Sequence, residues 1–133
     1  MLTGLQHAHS GLRWLVLLAG IAAIVVLILI TVQKRDFKKA DNIVLKVFTG
    51  LYDLQVLLGI IYLIVWISMG IGLVHYHYEH VLTMLVAAVL FHYPAVWKKR
   101  EPAVRAPKTL LMYAIGFALV IFGIFRLPTG WPN

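Results

Sequence analysis

The chain has 133 residues, 62% of them hydrophobic and 13% charged, with no cysteine and a formal net charge of +7. A mean hydropathy of +0.89 is far above that of a soluble domain, in which apolar residues make up roughly half the chain, and 133 residues leave room for about four spans of roughly 20 residues with short loops. The missing cysteines exclude disulfides, thiolate metal sites, iron–sulfur clusters and c-type haem attachment, and the positive charge lies in short loops between apolar runs, where it signals topology and not nucleic-acid binding.

The first apolar run covers 12–32 and closes on Gln33, Lys34, Arg35, Asp36, Lys38 and Lys39. Its positive residues follow the run and no small-residue cleavage site comes next, so it is expected to stay in place as a span. The second run, 43–71, opens after Asp41 and Asn42, which suit an N-cap, and is interrupted by Asp53 and Gln55. The third run, 79–97, starts near Glu79 and has Pro94 close to its end; the fourth, 108–125, has Pro107 placed for a first helical turn. Pro128, Gly130 and Pro132 end the helical pattern. The expected fold is all-α, an integral membrane four-helix bundle forming one domain over residues 1–133.

Loop charge predicts the orientation. The first connection carries Lys34, Arg35, Lys38 and Lys39, and the third carries Lys98, Lys99, Arg100, Arg105 and Lys108, whereas the N-terminus and the second connection hold almost no Lys or Arg. Both basic loops therefore belong in the cytoplasm and both termini outside, in a bacterial inner membrane. Trp14, Tyr76, Tyr78 and Trp131 fall near the outer interface, and Tyr93 and Trp97 near the inner one.

With that topology His7, His9, His75, His77 and His80 share the outer layer, and His92 alone lies toward the cytoplasm. Tolerance of His at an interface accounts readily for His75 and His77, on an expected turn. It accounts less well for His9 and His80, which open helices that must pack together in one small bundle. His7 and His9 are about 200° apart around a helix, so at most one faces the interior; His9 is preferred, with His7 the alternative cofactor-binding residue because the start of helix one is not fixed by the sequence. Arg13 follows His9 one turn on, with Gly20 and Ala23 continuing the stripe, either as room for a flat macrocycle or as ordinary close packing. On the third helix Met84, Ala87 and Ala88 follow His80 at helical spacing. An imidazole from each helix can ligate one iron axially, while Arg13 either compensates a propionate or pairs with Glu79.

Asp53 lies well inside a span, where a carboxylate costs about 2.5–3.5 kcal/mol on insertion scales, so it is expected to face the interior with a partner or a function. His92 is the natural candidate at a similar depth, on the order of 10 Å. An Asp–His pair, or a proton or quinone site, fits; so does a structural hydrogen bond from protonated Asp53 to a Tyr or a backbone carbonyl.

The segment His7, Ala8, His9, Ser10, Gly11, Leu12, Arg13, Trp14, with Leu54, Gln55, Val56, Leu57, Leu58, Gly59 and then Glu79, His80, resembles the small four-helix bacterial membrane proteins labelled cytochrome b. Looser similarity extends to half of the haem A synthase bundle and to cytochrome b561-like proteins, which also hold haem b between helices. The resemblance covers all four spans and implies an electron-transfer protein with haem b. It also implies a histidine two residues before the glutamine of helix two, where this chain has Asp53. One outer haem is then the most the chain supports, with His9 and His80 as ligands. Electron transfer across the bilayer would need a quinone or other membrane redox subunits.

Three readings follow. The first is a b-type haem electron carrier, a small subunit of a larger redox complex. The second is a cofactor-free accessory subunit of a respiratory or photosynthetic complex. The third is an outer-face copper or zinc protein using His7, His9, His75, His77 and Glu79. No nucleotide motif or nucleophile arrangement supports an independent enzyme.

Overall fold

The computed structural model describes residues 1–128. Among them the chain forms four α-helices, α1 (Leu2–Gln33), α2 (Lys39–Ser68), α3 (His75–His92) and α4 (Pro102–Phe125), with a 3₁₀ helix (Tyr93–Trp97) continuing α3. No strand occurs among the described residues. All four helices are long and apolar enough to cross a membrane. Side chains such as Leu18, Val32, Ile64, Leu82 and Phe125 project from the bundle surface, an arrangement compatible with lipid contact. Gly130, Trp131 and Pro132 lie outside the described residues.

The helices start before the apolar stretches, and α2 ends at Ser68, short of the expected residue 71. α1 begins at Leu2 and not at residue 12, and its 32 residues make a helix about 48 Å long against a hydrocarbon layer of about 30 Å. Hydropathy marks the part that suits lipid; the helix continues through the polar segment because no proline stops it before the terminus. The same reason starts α3 at His75 and not at Glu79, so His75 and His77 occupy its first turn instead of the expected loop. His77 helps to close that turn, its Nδ1 accepting from the Val74 backbone N–H at 3.0 Å.

Two expected caps are corrected. α2 starts at Lys39, with Asp41 at the third helical position, where it accepts from the Lys38 N–H and from Arg35, each at 2.7 Å. Asp41 caps from inside the helix, because an acid three residues after the N-cap can reach back to the exposed N–H groups of the first turn. α4 starts at Pro102 and not at Lys108, which leaves Pro107 inside the helix. Pro102 fills the first-turn role, where a missing N–H costs nothing. At the other end of α3, Pro94 stops the α-helix and the chain tightens into the 3₁₀ turn.

Helices consecutive in the chain pack together, and α1 also packs on α4, so the four stand in a square with α1 diagonal to α3. Phe48, Tyr52, Phe91 and Tyr113 meet at mid-bundle, with ring centres 4.7–6.2 Å apart. Gly20 serves this packing. A Cβ there would sit 2.6 Å from Phe117 Cε2 and 3.0 Å from Phe48 Cε1, so the small stripe on α1 accommodates aromatic rings. Above this layer, at the end carrying His9 and His80, the bundle opens.

Candidate functional site

A cavity of about 430 Å³ occupies the histidine end, lined by all four helices. α2 and α3 make the thinnest contact between neighbouring α-helices of the square, and both contribute heavily to the lining. Tyr52 and Met84 line its lower part, with the Tyr52 hydroxyl donating to the Met84 carbonyl at 2.7 Å. The remaining lining is mainly apolar and includes Val56, Leu63, Val81 and Ile124, with His9, Arg13, Gln55, His77 and His80 as polar groups.

His9 on α1 and His80 on α3 face each other across the diagonal of the bundle, their ring centres 6.4 Å apart and their planes at 80°. An imidazole nitrogen lies about 2.0 Å from a bound metal and about 1.1 Å from its own ring centre, so two imidazoles sharing one metal axially have centres roughly 6 Å apart. The observed spacing meets that requirement. Ring planes are free to differ, because each ring turns about its own metal–nitrogen bond.

Each ring is positioned by a neighbour. His80 Nδ1 donates to the Gly123 carbonyl at 3.2 Å. That carbonyl lies in the last turn of α4, where carbonyls lack helical partners. The Leu127 N–H, which would otherwise reach it, turns to Ile124 instead. The bond leaves His80 Nε2 with its lone pair, which is how a metal-binding histidine is commonly held. His9 is fixed through its backbone, its carbonyl accepting from Gln55 Nε2 at 2.8 Å. The His9 ring lies against Gly59, where an added Cβ would approach Cε1 to 3.0 Å and Nδ1 to 3.5 Å. His9 Nδ1 is buried and has no hydrogen-bond partner. Gln55 and Gly59 both belong to the helix-two segment that carried the resemblance, and both bear on His9.

The fit of Gly59 to the ring makes a direct prediction. Gly59→Leu should displace His9 and lower retention of a ligand held by that ring by at least about tenfold, an effect comparable to loss of outer-shell support. Gly50→Leu, on the same helix with nothing within 4 Å of the added Cβ, is the control. Equal retention in the two variants, measured as ligand per chain after purification, would separate the His9 ring from binding.

Other candidate residues fall elsewhere. His7 is exposed and does not line the cavity. Glu79 pairs with Arg126, which spans both carboxylate oxygens at 2.9–3.2 Å, so the alternative pairing with Arg13 is not formed. Arg126 stands just past the last apolar residue of α4, and only tertiary packing brings it beside Glu79. Arg13 lines the cavity, with its guanidinium 4.9 Å from the centre of the Trp14 ring. Among the described residues no three His, Asp or Glu side chains converge as a set able to hold a bare metal ion. His7, His9, His75, His77 and Glu79 thus do not gather as the copper or zinc reading requires.

Toward the basic end, His92 Nε2 and Asp53 Oδ1 are joined by a 2.7 Å hydrogen bond. The pair faces outward: the side chains are 52% and 54% exposed. The interior placement expected for Asp53 is therefore corrected, because Tyr52 takes the inward position on that turn of α2 and the adjacent residue must point elsewhere.

Comparison with protein-family models, curated proteins and solved structures finds no match in any of the three.

Proposed function

We propose that this chain is a b-type haem electron-transfer protein of a bacterial cytoplasmic membrane, with one haem held between His9 and His80 at the outer end and both basic loops in the cytoplasm. The observation that carries this reading is the 6.4 Å separation of two imidazoles from diagonal helices, at a mainly apolar cavity large enough for a cofactor. The resemblance to small four-helix cytochrome b proteins points the same way.

When bound, haem b supplies a one-electron couple. The chain's own residues do the rest. His9 and His80 would hold the haem iron, and the hydrogen bond from His80 Nδ1 to the Gly123 carbonyl leaves Nε2 as the nitrogen available to it. Arg13 lines the cavity, where it would offer a cation to a propionate, and the rest of the lining is mainly apolar.

A single outer haem leaves the inner half of the membrane unbridged, so the protein works as a small subunit of a larger redox complex or with a quinone. The outward Asp53–His92 pair favours this part of the proposal. Asp53 and His92 satisfy each other yet stay exposed on the bundle surface; such a pair within a membrane is costly unless a polar group covers it, and a quinol headgroup would do so. Asp53→Asn should leave haem content unchanged and remove quinol-dependent haem reduction, read as the initial rate in proteoliposomes. An unaltered rate would make the pair structural.

The test of the main reading is a reduced-minus-oxidised spectrum of detergent-purified protein with pyridine haemochrome quantification. About one haem b per chain with a low-spin bis-imidazole spectrum is expected. A colourless protein from haem-replete cells would overturn the proposal and favour a cofactor-free accessory subunit.

A further inference from the structure

A second cleft, of about 250 Å³, lies at the opposite, basic end of the bundle. Its polar lining comes from four parts of the chain: Asn42, Lys46 and Thr49 of α2, His92 at the end of α3, whose ring is hydrogen-bonded to Asp53, Lys98 after the 3₁₀ helix, and Arg105, Thr109 and Tyr113 of α4. Three of these side chains are cations, and no carboxylate among the described residues lines the cleft. The ion pairs of the described residues are Arg35–Asp41, His92–Asp53 and Arg126–Glu79, so none of the three cations is neutralised within the bundle.

Two further features indicate a recognition site and not merely a solvated basic rim. Thr109 is only 2% exposed, yet its hydroxyl has no hydrogen-bond partner. A buried hydroxyl without a partner costs free energy, so a ligand that accepts its proton gains at that position. Arg105 is also held in place: it donates to Asn42 Oδ1 at 3.0 Å and its guanidinium lies 3.8 Å from the centre of the Phe37 ring. A fixed guanidinium, two lysines and a hydroxyl donor form a set complementary to a phosphate oxyanion.

From this donor set we infer that the cleft binds the phosphate of an anionic phospholipid headgroup. A lipid suits it better than free phosphate because Val47, Tyr93 and Val96 are outward-facing neighbours of its lining residues in the chain and offer apolar surface for the acyl chains. Basic pockets between membrane helices bind such headgroups by this chemistry. The inference is independent of the haem assignment, which concerns the other end of the bundle, but the cleft shares His92 with the Asp53–His92 pair.

Native mass spectrometry of the full chain released from mild detergent tests it, with phosphatidylglycerol, phosphatidylcholine and inorganic phosphate as probes. One phosphatidylglycerol per chain should bind at least about tenfold more tightly than phosphatidylcholine, and millimolar phosphate should not displace it. Arg105→Gln and the pair Lys46→Gln with Lys98→Gln should each lower that affinity about tenfold. The pair Lys34→Gln with Lys39→Gln, at the same end but outside the cleft lining, should change it less than about twofold. Thr109→Val separates binding from folding. Removal of a hydroxyl that has no protein partner should leave unfolding in lipid-free detergent unchanged or shift it upward, while lipid affinity falls. Equal losses in the cleft and control lysine pairs would overturn the proposal in favour of diffuse charge attraction. Phosphate binding as tight as the lipid's would overturn the lipid as occupant, and unaltered lipid affinity in both Thr109→Val and Arg105→Gln would overturn the site.

Discussion

On the proposed haem reading, replacing His80 with alanine should lower haem per chain by more than the about 10–100-fold typical of losing an outer-shell partner. The reason lies in the geometry. His80 presents Nε2 because its Nδ1 is held by Gly123, and it faces His9 across 6.4 Å between ring centres. His9→Ala should behave in the same way, whereas His7→Ala and His75→Ala, whose side chains lie outside the cavity lining, should retain full haem. Added imidazole should restore the low-spin spectrum in His80→Ala, since the truncated side chain leaves space for a free ring. That rescue separates ligation from a merely structural role. Full haem content in His80→Ala, measured by pyridine haemochrome, would remove the ligand assignment.

The second large effect is on stability. Phe48 is 1% exposed and packs against Phe91, Tyr113 and Tyr52 with ring centres at 4.7, 5.5 and 6.2 Å. In a soluble core, truncation of such a ring costs a transfer term and a cavity term. A membrane bundle unfolds into separated helices still in lipid, so the transfer term largely drops out and lost packing dominates. At about 24 cal/mol per Å³, a void of roughly 100 Å³ corresponds to about 2 kcal/mol. Phe48→Ala should therefore lower the unfolding free energy in mixed micelles by about 2 kcal/mol, whereas Leu18→Ala, on the outward surface, should change it by less than about 0.5 kcal/mol. Equal costs at the two positions would mean that the aromatic layer does not hold the bundle together.

Much of the fold was legible because lipid imposes one strong rule. A span must satisfy its backbone internally and present apolar side chains, so four apolar runs imply four helices. The helix ends were not legible from hydropathy. Residues 2–11 and His75–Tyr78 are polar enough to leave the hydrocarbon layer yet remain helical, since no residue there breaks the helix. Asp41 and Pro107 show a related limit: each type favours a helix start, but the turn that uses it depends on where the preceding loop closes. At the site, helical angle allowed only one of His7 and His9 to face inward and did not decide which; the structure lines the cavity with His9 and leaves His7 outside. Gly123 had no signal at all, because its carbonyl matters only where α4 ends beside α3.

Composition and periodicity by themselves determined an all-α chain of four membrane-length helices and gathered five of its six histidines toward one end, because those properties follow from local side-chain chemistry along each helix. Tertiary structure alone decided that α1 and α3 stand diagonally, that Glu79 takes Arg126 in place of Arg13, and that the expected Asp53–His92 pair is exposed on the surface of the bundle instead of facing its interior. Those outcomes depend on how each helix is rotated about its axis when packed. Aromatic rings filling the small-residue stripe at mid-bundle set that rotation, and no single helix carries the information.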